Sequence, residues 1–173
     1  TATGEIKRKL NDPLGDSENV GATRRRGIDV QLSTKPVSGL SLWGAMSWQK
    51  AIVTTPDPAT PAFKGNEIDH VPHWLWSGGL DYTGIARLRL SLWASGQSDY
   101  WLTTANSAAQ GKFGDYAALY AEVAYELSER IDFALSARNL TGTYYEYAWF
   151  DGAQTLHSPA DGIGITASVR VRF

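Results

Sequence analysis

The sequence predicts an all-β protein, an antiparallel up-and-down transmembrane β-barrel with about eight strands in this chain. Several long segments alternate apolar and polar residues with a period of two, which sends one set of side chains to each face of a strand. The clearest is 163–173, where apolar residues fill every second position up to the final Phe173. There are too many such segments for one small core, so we expect the apolar face to meet lipid and the polar face to line a lumen.

Eight candidate strands follow one another along the chain. They lie at 1–10, 20–34, 39–54, 73–83, 86–102, 115–128, 131–148 and 162–173. The connections alternate in length: the short ones are 35–39, 83–85 and 128–130, and the long ones are 11–19, 55–72, 103–114 and 149–161. Short turns at one rim and long loops at the other are typical of outer-membrane barrels, where the short turns are periplasmic.

Three hairpins, taken in chain order, test the register, because directly paired residues must share a face. The predicted apolar pairs are Leu32–Leu42 and Ile28–Met46, then Leu80–Leu88, Gly78–Leu90 and Trp76–Leu92, then Leu127–Ile131, Tyr125–Phe133 and Val123–Leu135. In the same register Arg26 falls beside Trp48, and Asp81 faces Arg87 on the polar side. All three hairpins agree on which face is apolar.

The apolar face has the profile expected of a membrane surface. In 73–83 it carries aromatic residues at both ends and small or aliphatic residues between them, and aromatic rings favour the interface between headgroups and hydrocarbon. The opposite face is charged and mixed in sign, which suits a wet or plug-filled lumen. Its members are Arg87, Arg89, Ser91, Glu122, Glu126, Asp132, Arg138, Arg170 and Arg172.

Composition excludes several other classes of protein. The chain has 173 residues, a net charge of -2 and no cysteine. The small charge gives no overall field to recruit nucleic acid, and the lack of thiols excludes a disulfide framework or a thiolate metal site. No stretch approaches the roughly 20 apolar residues of a spanning helix. Seven Trp and eight Tyr are many for this length and fit interfacial belts.

Several stretches resemble the C-terminal barrel portion of TonB-dependent outer-membrane receptors. The matching segments are 18–21 with 26–30, 69–73, 113–116 with Tyr125, 137–141 with Tyr144 and Tyr145, and the terminal strand ending in Phe173. Their order and spacing cover nearly the whole chain. The resemblance implies a segment of a larger, 22-stranded barrel with residues 1–173 as one unit, while the plug domain and the earlier strands are absent.

The resemblance also implies a function and a location. The parent protein would import a scarce nutrient, a ferric siderophore in the commonest case, across the outer membrane of a Gram-negative bacterium, and would not be an enzyme. Its partners would be outer-membrane lipid and lipopolysaccharide, the transported ligand, a TonB-type energy-transducing protein reached through the missing plug, and the outer-membrane assembly machinery, which would read Phe173. No cofactor, metal site or nucleic-acid partner is expected.

Candidate ligand contacts lie where the long loops begin and end. They are His70, His73, Tyr100, Trp101, Tyr147 and Trp149. Asp69, His70 and His73 could form a metal or ligand site, but solvated histidines at the rim are the preferred interpretation. Glu122, Glu126 and Asp132 could form an acid–base cluster, but no nucleophile or pocket accompanies them. We therefore interpret them as charged side chains that line the lumen. Arg24 and Arg26 point outward, toward lipid phosphates rather than nucleic acid.

Two alternative architectures remain open at this point. One is a complete small eight-stranded outer-membrane protein that closes on itself and acts as an anchor, an adhesin or a lipid-modifying enzyme. The other is a soluble β-sandwich with an adhesive role. An open sheet would leave 1–10 and 162–173 as unpaired edges, which lipid does not tolerate.

Overall fold

The computed structural model describes residues 1–8 and 17–173. In them the chain forms twelve strands and one 3₁₀ turn, Pro61–Phe63. The strands are β1 (Ala2–Arg8), β2 (Ser17–Val37), β3 (Leu40–Thr55), β4 (Trp74–Tyr82), β5 (Leu88–Gln97), β6 (Tyr100–Trp101), β7 (Lys112–Phe113), β8 (Tyr116–Ser128), β9 (Ile131–Arg138), β10 (Glu146–Phe150), β11 (Thr155–Pro159) and β12 (Gly164–Val171). No helix in the described residues has the length and apolarity to cross a membrane.

Eight of the strands form one antiparallel sheet in the order β1-β2-β3-β4-β5-β8-β9-β12. Each of these strands pairs with the sheet strand next to it in the chain, as an up-and-down barrel wall requires, so the predicted fold class is confirmed. The remaining strands form two small pairs, β6 with β7 and β10 with β11. They lie within the long connections, at the rim we call the long-loop rim; the opposite rim, with the three short turns, is the short-turn rim.

The predicted strand at 131–148 is wrong beyond Arg138. The backbone turns at Asn139, which has a left-handed φ of 50°, and residues 146–159 form the separate β10–β11 hairpin. The predicted strand at 86–102 likewise divides into β5 and the short β6. Part of the predicted loop 11–19 already belongs to β2, and the rest of it, 11–16, lies outside the described residues.

The sheet is open, because in the described part of the chain β1 and β12 pair with β2 and β9 but not with each other. A closed eight-stranded barrel would require that missing pairing, so the small-barrel alternative is not what this chain forms. A sandwich would require a second sheet packed on the face of the first, and the described residues show only the two short pairs at the long-loop rim.

The predicted registers are wrong by even numbers of residues in two hairpins. In the first, Leu42 lies opposite Thr34 rather than Leu32, because the strands extend to a turn at 38–39 and a bulge follows Thr34. The bulge includes Pro36, which has no N–H to give to the ladder. Arg26 still reaches Trp48, with its guanidinium carbon 5.9 Å from the ring centroid.

In the second hairpin the shift is four residues, since the turn spans 83–87 and places Arg87 at a φ of 64°. Leu80 therefore pairs with Leu92, and Asp81 pairs with Ser91 rather than with Arg87. Both shifts are even, so every side chain stays on its predicted face.

The third hairpin keeps its predicted register over most of its length. Tyr125 pairs with Phe133 and Val123 with Leu135, as predicted. The pair Leu127–Ile131 is wrong, because Ser128 lies opposite Ile131 across a two-residue turn. A bulge at Leu127 then restores the match of the two faces.

The outward face has aromatic residues near both rims and aliphatic residues between them. Trp48 pairs with Trp74 toward the long-loop rim, and Tyr125 pairs with Phe133 near the short-turn rim. Along β4, the rise from Trp74 to Tyr82 is about 20 Å along the barrel axis, at roughly 3.3 Å per residue and a tilt near 40°. That height is close to the ~25 Å apolar band of outer-membrane barrels.

Burial is confined to the half of the sheet near the long loops and to the loops themselves. Where burial is described, the buried side chains are Thr23, Ala51, Val53, Pro72, Tyr100, Leu102, Thr103, Thr104, Ala118, Asn139 and Ala148. The apolar side chains of the sheet between the girdles are half-buried or exposed, as expected when one face is a lipid surface and the other lines a lumen.

Candidate functional site

The long loops form a structured layer above the sheet, which we call the crown: residues 56–73, 98–115 and 139–163. The first loop is fastened to the sheet because its backbone continues the pairing of β3 beyond β4. Ile68 N–H donates to the Ala51 carbonyl at 3.0 Å, and Val53 N–H donates to the Asn66 carbonyl at 2.9 Å. Ala51 and Val53, in the part of β3 that pairs with this loop, are both buried.

The second loop is fastened to the first by reciprocal side-chain bonds. The Asn106 side chain accepts from Glu67 N–H at 2.7 Å and donates to the Glu67 carbonyl at 2.9 Å. The Asn66 amide donates to the Thr104 carbonyl at 2.9 Å, and the Thr104 hydroxyl donates to the Asp69 carboxylate. These bonds satisfy buried polar groups that would otherwise be costly.

His70 joins all three loops of the crown. Its backbone N–H donates to the Trp101 carbonyl at 3.0 Å. Its Nδ1 lies 3.2 Å from Asp69 Oδ2, and its Nε2 lies 3.1 Å from the carbonyl oxygen of Ala148. Both ring partners are acceptors, so the ring donates to both only with hydrogen on both nitrogens. A left-handed φ of 58° aims the ring into this position.

Four of the predicted contact residues form one group, which we call the crown cluster: His70, Tyr100, Tyr147 and Trp149. The His70 ring centroid lies 5.0 Å from that of Tyr100 and 5.4 Å from that of Tyr147. Tyr147 stacks in turn on Trp149 at 5.7 Å. Ring pairs at these distances add stability beyond their buried area.

The crown cluster is anchored from below and open above. Tyr100 is only 5% exposed and packs with Leu102 and Ala148, with Phe113 and Phe150 at the edge. Burial raises the pKa of the Tyr100 phenol above its ordinary value of 10.0, so the hydroxyl stays protonated at neutral pH and can donate to the Ala148 carbonyl at 3.4 Å. Tyr147 is 54% exposed and offers a ring to solvent.

The other two predicted contact residues, His73 and Trp101, lie elsewhere in the crown, and the predicted assembly signal, Phe173, lies outside it. His73 pairs with Glu67, with Nε2 and Oε1 3.0 Å apart. Trp101 lies under the ammonium group of Lys112, 4.8 Å from the ring centroid. Phe173 is fully exposed beyond the end of β12. Within residues 1–8 and 17–173 no three His, Asp or Glu side chains come together in an arrangement that could hold a metal ion.

The β10–β11 hairpin carries its own polar contact at the base. The His157 Nδ1 lies 2.9 Å from Glu146 Oε1, and the Tyr144 hydroxyl donates to Glu146 Oε2 at 2.6 Å. The hydroxyl of Tyr144 first, and His157 second, lower the pKa of the Glu146 carboxyl, while the same hydrogen bond raises the pKa of Tyr144. The contact therefore holds an ionised carboxylate at the foot of the hairpin.

The predicted acidic cluster lies near the opposite rim, on the inward face. Glu122 pairs with Arg89 at 3.2 Å, and Asp132 pairs with Arg172 at 2.6 Å. Glu126 and Asp132 line a cavity of about 470 Å³ there, together with Arg170. The paired charges of both signs support the interpretation as lumen electrostatics.

Two features of the site were missed from the sequence. Asn139 is 1% exposed, and its side chain donates to the Thr143 carbonyl at 2.9 Å while accepting from Thr143 N–H at 3.0 Å. The Gly at position 142 and the tolerance of Asn for a left-handed backbone were signals of this turn.

The second missed feature is a set of inward-facing aromatic rings. Trp93 stacks on Tyr120 with centroids 5.4 Å apart, and Tyr116 stacks on Tyr145 at 4.4 Å. The alternation in β5 and β8 placed Trp93 and Tyr120 on the inward face, but the stacking with Tyr145 depends on a loop contact.

An open antiparallel sheet with an aliphatic band between aromatic girdles on one face, and polar residues on the other, defines the wall of a transmembrane β-barrel. A family model described as the β-barrel of TonB-dependent receptor-like proteins matches residues 5–140. The chain belongs to this family of TonB-dependent receptors, whose members are transport receptors of the Gram-negative outer membrane. No curated protein matches the chain.

Solved receptor structures share the fold. The ferric yersiniabactin uptake receptor FyuA from Yersinia pestis superposes with a TM-score of 0.78 at 18% identity, covering 91% of this chain and 25% of the receptor. The ferric citrate transporter FecA gives 0.75 at 18% identity, covering 96% and 26%. The siderophore receptor PiuA from Acinetobacter baumannii gives 0.75 at 18%, covering 95% and 24%. The chain thus spans about a quarter of these receptors' length.

Proposed function

We propose that this chain forms part of the barrel wall of an outer-membrane receptor that imports a scarce nutrient, with a ferric siderophore as the cargo. The family supports the receptor, and receptors for iron carried by organic ligands are among its structural neighbours. The observation that carries the proposal is the crown cluster, where His70 joins three loops and holds an exposed aromatic surface above the lumen. No reaction is catalysed.

In this proposal the six predicted contact residues divide between contact and support. Tyr147 and Trp149 contact the ligand, since Tyr147 is the exposed ring of the crown cluster and Trp149 stacks on it. His70 forms the polar side of the same surface. His73 and Trp101, which lie elsewhere in the crown, contact parts of the ligand beyond the crown cluster. Tyr100 is too deeply buried for direct contact and holds Tyr147 and His70 in place.

The remaining partners follow from the receptor function. A plug domain and the other barrel strands complete the receptor beyond residues 1–173, and the plug engages the TonB-type energy-transducing protein. The outward face contacts outer-membrane lipid, lipopolysaccharide included. The assembly machinery reads the terminal aromatic Phe173, which protrudes beyond β12.

Uptake measurements test the proposed function. The full receptor is expressed in a Gram-negative strain without siderophore uptake, and radioactive iron import is measured over a panel of ferric siderophores and ferric citrate, with and without the TonB-type protein. We expect import of at least one ferric complex, abolished without the energy-transducing protein. Import of none, or import independent of that protein, contradicts the proposal.

The ligand surface is tested with matched aromatic variants. Tyr147→Ala with Trp149→Ala should weaken binding of the imported complex at least tenfold, while Tyr125→Ala, an exposed aromatic near the short-turn rim, should leave it unchanged. Equal loss in the two would mean that the crown cluster is not the contact surface.

Two further measurements test orientation and assembly. Single cysteines at Ser38 and Ala59 in intact cells should differ, with only position 59 reacting with an impermeant maleimide. Equal labelling of positions 38 and 59 would overturn the orientation.

Deletion of Phe173 should lower the amount of the heat-modifiable folded form in outer membranes. Normal folded levels after the deletion would contradict the assembly signal.

A further inference from the structure

The ring of His70 lies between two oxygen acceptors, and we call this arrangement the clasp: the His70 ring, the Asp69 carboxylate and the Ala148 carbonyl. The ring Nδ1 is 3.2 Å from Asp69 Oδ2, and Nε2 is 3.1 Å from the Ala148 oxygen. A carbonyl and an ionised carboxylate only accept, and a neutral imidazole has a single N–H. The clasp is therefore complete only when the ring carries two hydrogens and a positive charge.

Each neutral form of the ring would leave one repulsive contact. With hydrogen on Nδ1 alone, the lone pair of Nε2 faces the carbonyl of Ala148, which is fully buried. With hydrogen on Nε2 alone, the lone pair of Nδ1 faces the Asp69 carboxylate, which also accepts the hydroxyl of the buried Thr104. Unsatisfied polar contacts are costly where water has little access. Binding of the second proton therefore strengthens the clasp.

The charged groups around His70 are of both signs. Asp69, on the same loop, favours a positive ring because it is in direct contact with it. In the described part of the chain, the strands β2 and β3 line a cavity of about 400 Å³ together with His70 and contribute these charged residues: Arg25, Arg26, Asp29 and Lys50. Arg26 lies over the Trp48 ring, and Lys50 pairs with Glu67 at 3.6 Å. Arg25 has Asp29 on the same face of β2, so the contact with Asp69 decides the preference for the charged ring.

Two tyrosine rings add to this preference. The His70 ring centroid is 5.0 Å from that of Tyr100 and 5.4 Å from that of Tyr147. Aromatic rings attract a cation at distances up to about 6 Å. Tyr147 belongs to β10, as Ala148 does, so the ring contact and the clasp join the same hairpin to the first crown loop.

We propose that His70 is a positioning residue that holds the β10–β11 hairpin against the first crown loop when its ring is protonated and releases the hairpin as the pH rises. The held state binds one more proton than the released state, so acid favours it. The hairpin carries Tyr147 and Trp149, so the clasp determines whether their stacked rings are held in place. This consequence for ligand capture rests on the proposed function, whereas the clasp itself does not.

The same hairpin offers a matched control. The Nδ1 of His157 lies 2.9 Å from Glu146 Oε1 at the foot of the hairpin, away from the clasp. The His157 side chain is 44% exposed, and ion pairs with such exposure contribute little to stability. His157→Gln therefore removes a second histidine from the hairpin and leaves the clasp intact.

The test measures the mobility of the hairpin in the full receptor, reconstituted in lipid vesicles. A spin label is attached to a cysteine at Ala153, an exposed position between β10 and β11; residues 1–173 contain no cysteine of their own. Electron paramagnetic resonance spectra are recorded from about pH 5 to pH 8, the range in which histidine side chains change charge. The unchanged receptor is compared with His70→Asn, which tolerates the left-handed backbone but does not titrate, and with His157→Gln.

In the unchanged receptor, the ratio of mobile to immobile label should rise about tenfold from acid to alkaline pH, as expected for the loss of one hydrogen bond from a charged donor. His157→Gln should keep at least half of that rise. His70→Asn should be mobile throughout and change less than twofold. Should His70→Asn not fold, His70→Phe, which retains a ring, replaces it with the same expected loss of the pH response.

Three results would overturn the proposal. They are a mobility that is constant or falls as the pH rises in the unchanged receptor, a rise in His70→Asn as large as in the unchanged receptor, and a rise that His157→Gln abolishes. For capture, the ligand affinity of the unchanged receptor relative to His70→Asn should fall between pH 5 and pH 8, and a constant ratio would contradict that consequence. The spin-label measurement needs no ligand, so absence of iron import with an intact pH response would contradict the proposed function alone.

Discussion

The sheet and the crown stabilise themselves by different means. Along the sheet, Leu32 is 73% exposed and Ile165 is 69% exposed although both are apolar. The sheet is held together by the backbone hydrogen bonds between its strands, with lipid on one face and water on the other. The crown has water on its outer side and has to build its own interior. It does so with a few buried groups, such as Leu102 and Ala148, and with side-chain bonds such as those of His70 and Asn139.

This difference predicts different responses to substitution. In the sheet, the face of a position decides the outcome, because a charge costs free energy on the lipid side and little on the lumen side. In the crown, the cost of a substitution depends on how many hydrogen bonds the side chain makes, because buried unsatisfied groups are costly.

The largest expected effect is a charge on the outward face of β5. Leu92 is the middle outward position of that strand, opposite Leu80. Leu92→Arg should destabilise the folded barrel by about 2–4 kcal/mol, measured by denaturant unfolding in lipid vesicles. The control Ser91→Arg places its charge beside Asp81 and Glu122 and should cost far less. Similar losses for both would mean that the two faces do not meet different solvents.

A smaller effect is expected at the base of the crown. Asn139→Ala removes the bonds to Thr143 and to the Asp161 carbonyl and places Ala at a left-handed φ, so we expect a local loss of about 1–3 kcal/mol. Amide hydrogen exchange should accelerate in 143–161 but not in β9. Asn139→Gly should lose the same hydrogen bonds but avoid the backbone strain. Its exchange rate in 143–161 should therefore fall between those of the unchanged protein and Asn139→Ala. Faster exchange throughout β9 would show that crown and sheet unfold together.

The next effect separates ring packing from hydrogen bonding in the crown cluster. His70→Ala should raise the rate of proteolysis within the β10–β11 hairpin about tenfold, corresponding to about 1.4 kcal/mol of local stability. His70→Phe retains the ring contacts with Tyr100 and Tyr147 but loses the bond to the Ala148 carbonyl, so an intermediate rate is expected. A rate equal to that of the unchanged protein in both variants would mean that His70 does not hold the hairpin.

The smallest effect is a pH dependence at the foot of the hairpin. The pKa of Glu146 is lower in the folded state than its ordinary 4.5, so its stabilising contribution is complete above that value. It is lost as the pH falls through the folded-state pKa. Tyr144→Phe removes the largest cause and should raise the pKa toward 4.5, as followed by the carboxyl carbon resonance of Glu146. An unchanged titration midpoint in Tyr144→Phe would contradict this assignment.

The sequence was a good guide to the sheet because its signal is local. Alternation assigns each residue to a face, and that assignment survived register errors of two and four residues in two of the hairpins. The alternation could not predict the geometry of the turns, such as the bulge at Pro36 or the left-handed backbone at Arg87.

The crown was less predictable because its contacts join distant parts of the chain. His70 bonds to Ala148, 78 residues further along the chain, and no periodicity marks such a pair. The sequence did single out the residues of the crown cluster, through their aromatic and histidine character near the loop ends. It could not show that they meet, and it extended β9 into the hairpin that carries two of them.

The bond between His70 and Ala148 also fixes an order of events during folding. Strands β4, β5, β8 and β9 lie between these two residues in the chain, so we expect these strands to pair before the bond forms. Contacts of such high sequence separation form late, because closing a long loop costs entropy before any contact is gained. We therefore expect the crown to acquire its interior last, on a wall that is already in place.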